Sequence, residues 1–195
     1  MSQTTEMLGA TSQAQNAQRR RLRVNNDGGL SSSHSSTLTF TRPQNTTAYT
    51  AGDVIGIADA GTPANAGSAI HTFTGIGPAG GQIRITASFF YVYLAAVPAS
   101  MTSFRLDLYD SSPTAILDNA AFDLAAGDRT KHLGYIDLGS PADRGATLYV
   151  QAGSQDLDVK LADGVTSLYG IITTNGGYTP TSAEGFRLRL RAVAL

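Results

Sequence analysis

Residues 185–195 read GFRLRLRAVAL, with Arg187, Arg189 and Arg191 at every second position between Phe186, Leu188 and Leu190. Successive side chains of a strand point to opposite faces, so this spacing sets three guanidiniums along one side and the apolar residues along the other. The stretch predicts a strand with one buried face and one wet face. Cross-strand acids would answer its arginines, with Asp107 or the pair Asp156 and Asp158 as the candidates, so the row is expected to be a solvated or subunit-facing surface and not a phosphate grip.

The same period of two recurs from Thr37 onward, in short runs separated by Gly, Pro, Asp and Asn. Strands are expected near STLTFTR (36–42), DVIGIAD (53–59), AIHTFTGI (69–76), GQIRITASFFYVYL (81–94), SFRLDLYD (103–110), KHLGYIDL (131–138), TLYVQAG (147–153), LDVKLA (157–162), LYGIITT (168–174) and FRLRLRAVAL (186–195). Helical periodicity is weak throughout; PTAILDNAAFDLAAGD (113–128) has room for a turn or two. Many short strands with turn signals between them predict an all-β domain over residues 37–195, an antiparallel β-sandwich or jelly roll, with an extended N-terminal arm.

Strand 81–94 carries Ile83, Ile85, Ala87, Phe89, Tyr91 and Tyr93 on one apolar side, while Phe90, Val92 and Leu94 make half of the opposite side dry as well. These three are the candidate subunit interface, covered by another part of the chain or by a neighbour. With a low charged fraction, they motivate an expected homo-oligomer, a trimer by preference.

Residues 1–36 differ from the rest: a small polar stretch, the basic run RRRLRV (19–24), then a Gly, Ser and Asn segment of linker composition. They form the expected arm, dispensable for folding, with Arg19, Arg20, Arg21 and Arg23 as its partner-binding residues. Aromatics for base stacking are not interleaved with them, so nucleic acid is not the expected partner.

The composition excludes several classes. Fourteen Lys plus Arg stand against fifteen Asp plus Glu, a net charge of −1 that supplies no global field for a polyanion. Seven of the fourteen basic residues fall in the two arginine stretches, so any attraction is local. There are no cysteines, which rules out disulfides and thiolate chemistry. The opening MSQTTEMLGA has no secretory pattern, and FFYVYLAAV (89–97) is too short to span a bilayer, so no membrane partner is expected and the site of synthesis is taken as the cytoplasm.

Each chemical motif has a plainer reading. GIGPAG (75–80) has dinucleotide-fingerprint spacing but precedes a strand instead of a helix, so it predicts a tight turn. His34, His71 and His132 lie far apart and outside any metal pattern, and no nucleophile elbow is present. Asp110, Asp118, Asn119 and Asp123 offer oxygen ligands, yet their spacing is not a calcium loop and suits turn chemistry. NTT (45–47) is a formal glycosylation acceptor read as a polar loop. Catalysis and cofactors are therefore not expected.

The phrases TFTRPQNTTAYTAGDVIG (39–56), FRLDLYDSSPTAILDNAAFDL (104–124), GYIDLG (134–139) and LYGIITTNGGYTPTSAEGFRLRLRAV (168–193) resemble tailed-bacteriophage virion structural proteins, over residues 37–195. The resemblance implies a non-enzymatic particle component that decorates or cements the capsid. Its partners would be other virion proteins, the major capsid protein first, and its location the virion, assembled in the host cytoplasm. The alternative is a tail-fibre, neck or baseplate module binding glycans through Tyr49, Tyr109 or Tyr178. A glycan hydrolase would need two carboxylates facing each other at about 5 to 10 Å.

Overall fold

The computed structural model describes residues 23–24, 30–57 and 69–195. Among these residues the strands are β1 (Arg23–Val24), β2 (Leu30–Ser31), β3 (Ser33–Thr41), β4 (His71–Phe73), β5 (Gln82–Val92), β6 (Phe104–Tyr109), β7 (His132–Gly139), β8 (Ala142–Asp143), β9 (Leu148–Lys160), β10 (Leu168–Thr174) and β11 (Gly185–Ala194). The chain divides into a unit ending at Ser32 and a unit beginning at Ser33. In the first, β1 pairs with β2, Arg23 opposite Ser31 and Val24 opposite Leu30.

The second unit has two antiparallel sheets, ordered β3-β11-β5-β9-β8 and β4-β10-β6-β7. With the two-residue β8 set aside, its eight strands number 1-8-3-6 in one sheet and 2-7-4-5 in the other. First pairs with last and second with seventh, as when an antiparallel ribbon is rolled up. That winding is the jelly roll.

Alternation along each strand builds the core. On β11, Phe186, Leu188, Leu190 and Ala192 are at most 1% exposed, while Arg187 and Arg191 are exposed on the other face. The inward residues join Phe104, Leu106, Leu108, Ile136, Leu138 and Ile172 of the facing sheet. Each large side chain so buried contributes about 1.5–3 kcal/mol.

β5 departs from simple alternation. Arg191 pairs with Ala87 but Ala192 pairs with Ile85, so Thr86 is an extra residue against an unbroken β11. The ladder to β9 shifts at the same place, where Ile85 pairs with Leu157 and Ala87 with Gly153. A bulge of one residue reverses which parity faces inward. Ile83 and Ile85 point into the core before it; Ser88, Phe90 and Val92 do so after it. The expected subunit interface is thereby corrected: Phe90 and Val92 are 0% exposed inside this chain's own core, and Leu94 packs against that core. Ala87, Phe89, Tyr91 and Tyr93, expected inside, belong to the outer face.

Other segments differ from simple strand reading for local reasons. The two strands expected within 147–162 are one long bulged strand, β9 (Leu148–Lys160). Of DVIGIAD, the described residues 53–57 contribute isolated bridges, Asp53 with Ala121 and Val54 with Thr173. The stretch 113–128 holds a single 3-10 turn, Ala126–Asp128, and the left-handed Asn119 at φ +61° interrupts any helix across its middle. Its Ile116, Phe122 and Leu124 pack with Tyr109, Ile171, Val54 and Ala69 as a second, smaller cluster. GIGPAG is a turn between β4 and β5, with Gly75 and Gly80 at φ +65° and +66°. No helix among the described residues is long and apolar enough to cross a membrane.

Candidate functional site

The outer face of the five-stranded sheet carries the arginine row. Arg187 pairs with Tyr91, Arg189 with Phe89 and Arg191 with Ala87 across the ladder to β5. The guanidinium carbons lie 5.6 Å from the Tyr91 ring centre for Arg187, and 4.2 and 5.0 Å from that of Phe89 for Arg189 and Arg191. Phe89 is only 7% exposed beneath them, and Tyr91 leans on Tyr149 of β9 with centroids 4.8 Å apart. The expected acidic partners are elsewhere: Asp107 meets His132 at 3.0 Å, and Asp158 forms a fork with Arg84 at 2.6 and 2.8 Å. Aromatic rings answer these arginines where carboxylates were expected.

A buried polar network ties together the loops after β3, β6 and β10. Arg42, 0% exposed, pairs with Asp118 at 2.8 Å and donates from Nε to the Tyr49 hydroxyl at 2.9 Å. Tyr49 donates in turn to Asp118 at 2.6 Å, and the amide of Gly56 reaches the same carboxylate oxygen at 2.8 Å. Beside it, Tyr178 donates to Glu184 at 3.0 Å, and the amide of Thr181 adds a bond of 3.1 Å. Burial pushes the Tyr49 and Tyr178 hydroxyls and the Glu184 carboxyl above their ordinary pKa. A charge pair this dry persists because the Arg42 nitrogens all find acceptors and both Asp118 oxygens accept hydrogen bonds. Sequence reasoning missed Arg42 and Glu184; Arg42 pairs with Asp118, 76 residues away, which leaves no local signature, while Glu184 bonds locally to Tyr178 and Thr181.

The remaining candidates do not converge. Asp118 is committed to Arg42, Asp110 accepts from Ser111, and Asp123 is exposed, so the acidic segment resolves into bracing and turn chemistry. Asn45 accepts from Arg42 through its side-chain oxygen at 2.8 Å, which engages the formal glycosylation acceptor. His71 is buried against Phe40, ring centres 4.3 Å apart, and burial pushes its pKa down to about 3. Burial also raises the Asp107 carboxyl beyond the opposing effect of His132. Tyr49, Tyr109 and Tyr178, offered as sugar-stacking rings, are 3%, 1% and 2% exposed and belong to the interior. Of the arm residues, Arg23 stands in β1, and Arg19, Arg20 and Arg21 lie outside the described residues.

No protein-family model and no curated protein matches the chain. Among solved structures it is similar to a chain of the infectious bursal disease virus VP2 subviral particle, at 9% identity and TM-score 0.30, over 83% of this chain and 32% of that one. It is also similar to a chain of the capsid of Helicobacter pylori bacteriophage KHP30, at 11% identity and TM-score 0.24, over 85% and 94%. A third likeness is to the K3 adhesin domain of Lys-gingipain from Porphyromonas gingivalis, at 14% identity and TM-score 0.23, over 65% and 62%. The chain thus spans about a third of the first of these. Likeness at this level assigns neither a family nor a role.

Proposed function

We propose that the chain is a non-enzymatic structural component of a phage particle, decorating or cementing the capsid, with the arm at residues 1–36 serving attachment. The observation that carries the reading is the use of the polar interior. Arg42, Asp118, Tyr49, Tyr178 and Glu184 close on one another and brace loops, while the outer face of the five-stranded sheet presents exposed residues such as Arg187, Arg191 and Thr37. A rigid body with an open face suits a part that fits against other parts. Jelly rolls form capsid and lectin domains alike, so fold alone does not decide. The phrases shared with tailed-phage virion proteins favour the particle, and the burial of the tyrosines nominated for sugar weakens the glycan-binding alternative. The partner expected on this reading is the major capsid protein.

Mixing the purified protein with particles stripped of it tests the proposal. Co-sedimentation that saturates at a fixed number of copies per particle is the expected result. Sedimentation of the particles without the protein would refute it.

A further inference from the structure

We infer that the outer face of the five-stranded sheet recognises an acidic, extended segment of a protein partner, through Arg187, Arg189 and Arg191. The inference deepens the particle-component reading and rests on it for where the partner resides.

The spacing fits such a ligand. Alternate residues of a strand recur at about 6.8 Å, the repeat of alternate side chains in any extended chain laid along it. Acidic residues at every second position therefore meet the row in register.

The arginines are held ready for carboxylates. A guanidinium on an aromatic face is stabilised as a cation and fixed in plane, leaving donor edges for a two-point bond. Arg189 is held most closely: it is half-buried and 4.2 Å above Phe89, with its Nε shut off from solvent and making no hydrogen bond. The row is also uncompensated. Ion pairs among the described residues join Arg42 to Asp118, Arg84 to Asp158, Lys131 to Asp128, His132 to Asp107 and Lys160 to Asp163, and none includes these three arginines. On β3 the residues opposite them are Thr39, Thr37 and Ser35, all exposed, and beyond Phe89 lies Gln151. A border of neutral hydrogen-bonding groups around aligned positive charge calls for an anionic partner.

Acidic protein fits better than nucleic acid. Phe89, the ring beneath Arg189 and Arg191, is capped by them and only 7% exposed, so it offers no face on which a base would stack. The net charge of −1 gathers no polyanion at a distance.

The test uses the full chain, a labelled peptide with Asp at alternate positions and a single-stranded DNA oligomer of equal charge, followed by fluorescence anisotropy over a salt series. The peptide is expected to bind, more weakly as salt rises. R187Q/R189Q/R191Q should weaken it about a hundredfold, roughly fivefold for each lost contact. R189K keeps the charge but loses the fork, and should weaken binding by about twofold. Should the triple variant unfold, R191Q alone, at an exposed position, carries the same fivefold expectation. Equal affinity of wild type and variants, binding indifferent to salt, or DNA held more tightly than the peptide would each overturn the inference. Normal incorporation of the triple variant into particles would sink it while leaving the particle role standing; peptide binding by a protein missing from particles would do the reverse.

Discussion

Leu188 and Arg187 are chain neighbours with opposite environments, and the difference can be measured. Leu188→Ala should cost about 2–5 kcal/mol on chemical denaturation, because it removes fully buried volume. Arg187→Gln, which loses an exposed contact with the Tyr91 ring, should cost less than about 1 kcal/mol. Arg42→Ala should behave unlike any surface arginine, at about 3–5 kcal/mol, since Asp118 would be left charged and dry. His71 adds a pH dependence whose sign follows from its depressed pKa. Folded His71 stays neutral down to about pH 3, whereas the unfolded chain binds a proton near 6.5, so its stability term is complete above 6.5 and is lost as pH falls toward 3. The raised carboxyls of Asp107 and Glu184 act with the other sign, losing stability as pH rises above the ordinary carboxylate range. The difference between wild type and His71→Leu isolates the histidine: wild type should lose stability relative to the variant as pH falls from 6.5 to 4, and parallel curves would contradict its burial as a neutral ring.

Strand β5 shows where a sequence pattern stops being sufficient. The alternation in residues 185–195 identified β11, its two faces and the all-β class, because that strand runs unbroken. The same count applied to residues 81–94 put the wrong side inward beyond Thr86, since a bulge depends on both neighbouring strands and adds no residue type that marks it. Mutagenesis reads the reversal directly. Phe90→Ala should cost about 3–5 kcal/mol, and Phe89→Ala at least about 1 kcal/mol less, because Phe89 lies on the outer face beneath arginine side chains and not in the core. The opposite order would mean that β5 is straight. The arginine row was legible as a row; its aromatic support was not, because register decides which side chains meet across strands. Asp118 was legible as turn material, but its partner Arg42 lies in another loop that only the folded chain brings near.

At the scale of the molecule, the second unit is an eight-stranded jelly roll with a braced interior and a cationic face, and the β1–β2 pair belongs to a separate unit. The arm proposal makes a prediction at this scale. Removing residues 1–30 should leave the thermal transition within about 2 °C of wild type, since β3 and the core begin beyond that point, and should abolish incorporation into particles. A collapsed transition would instead make the arm part of the fold. The loss of Phe90 and Val92 to the interior removes the reason for expecting self-association through them, so attachment to a different protein becomes the simpler use of the open face. The most direct test of the central claim is quantitative mass spectrometry of gradient-purified, salt-washed particles from infected cells. The account predicts this chain at a fixed ratio to the major capsid protein, constant from one preparation to the next. Its absence from the washed particles, with the chain recovered only in the soluble fraction, would contradict it.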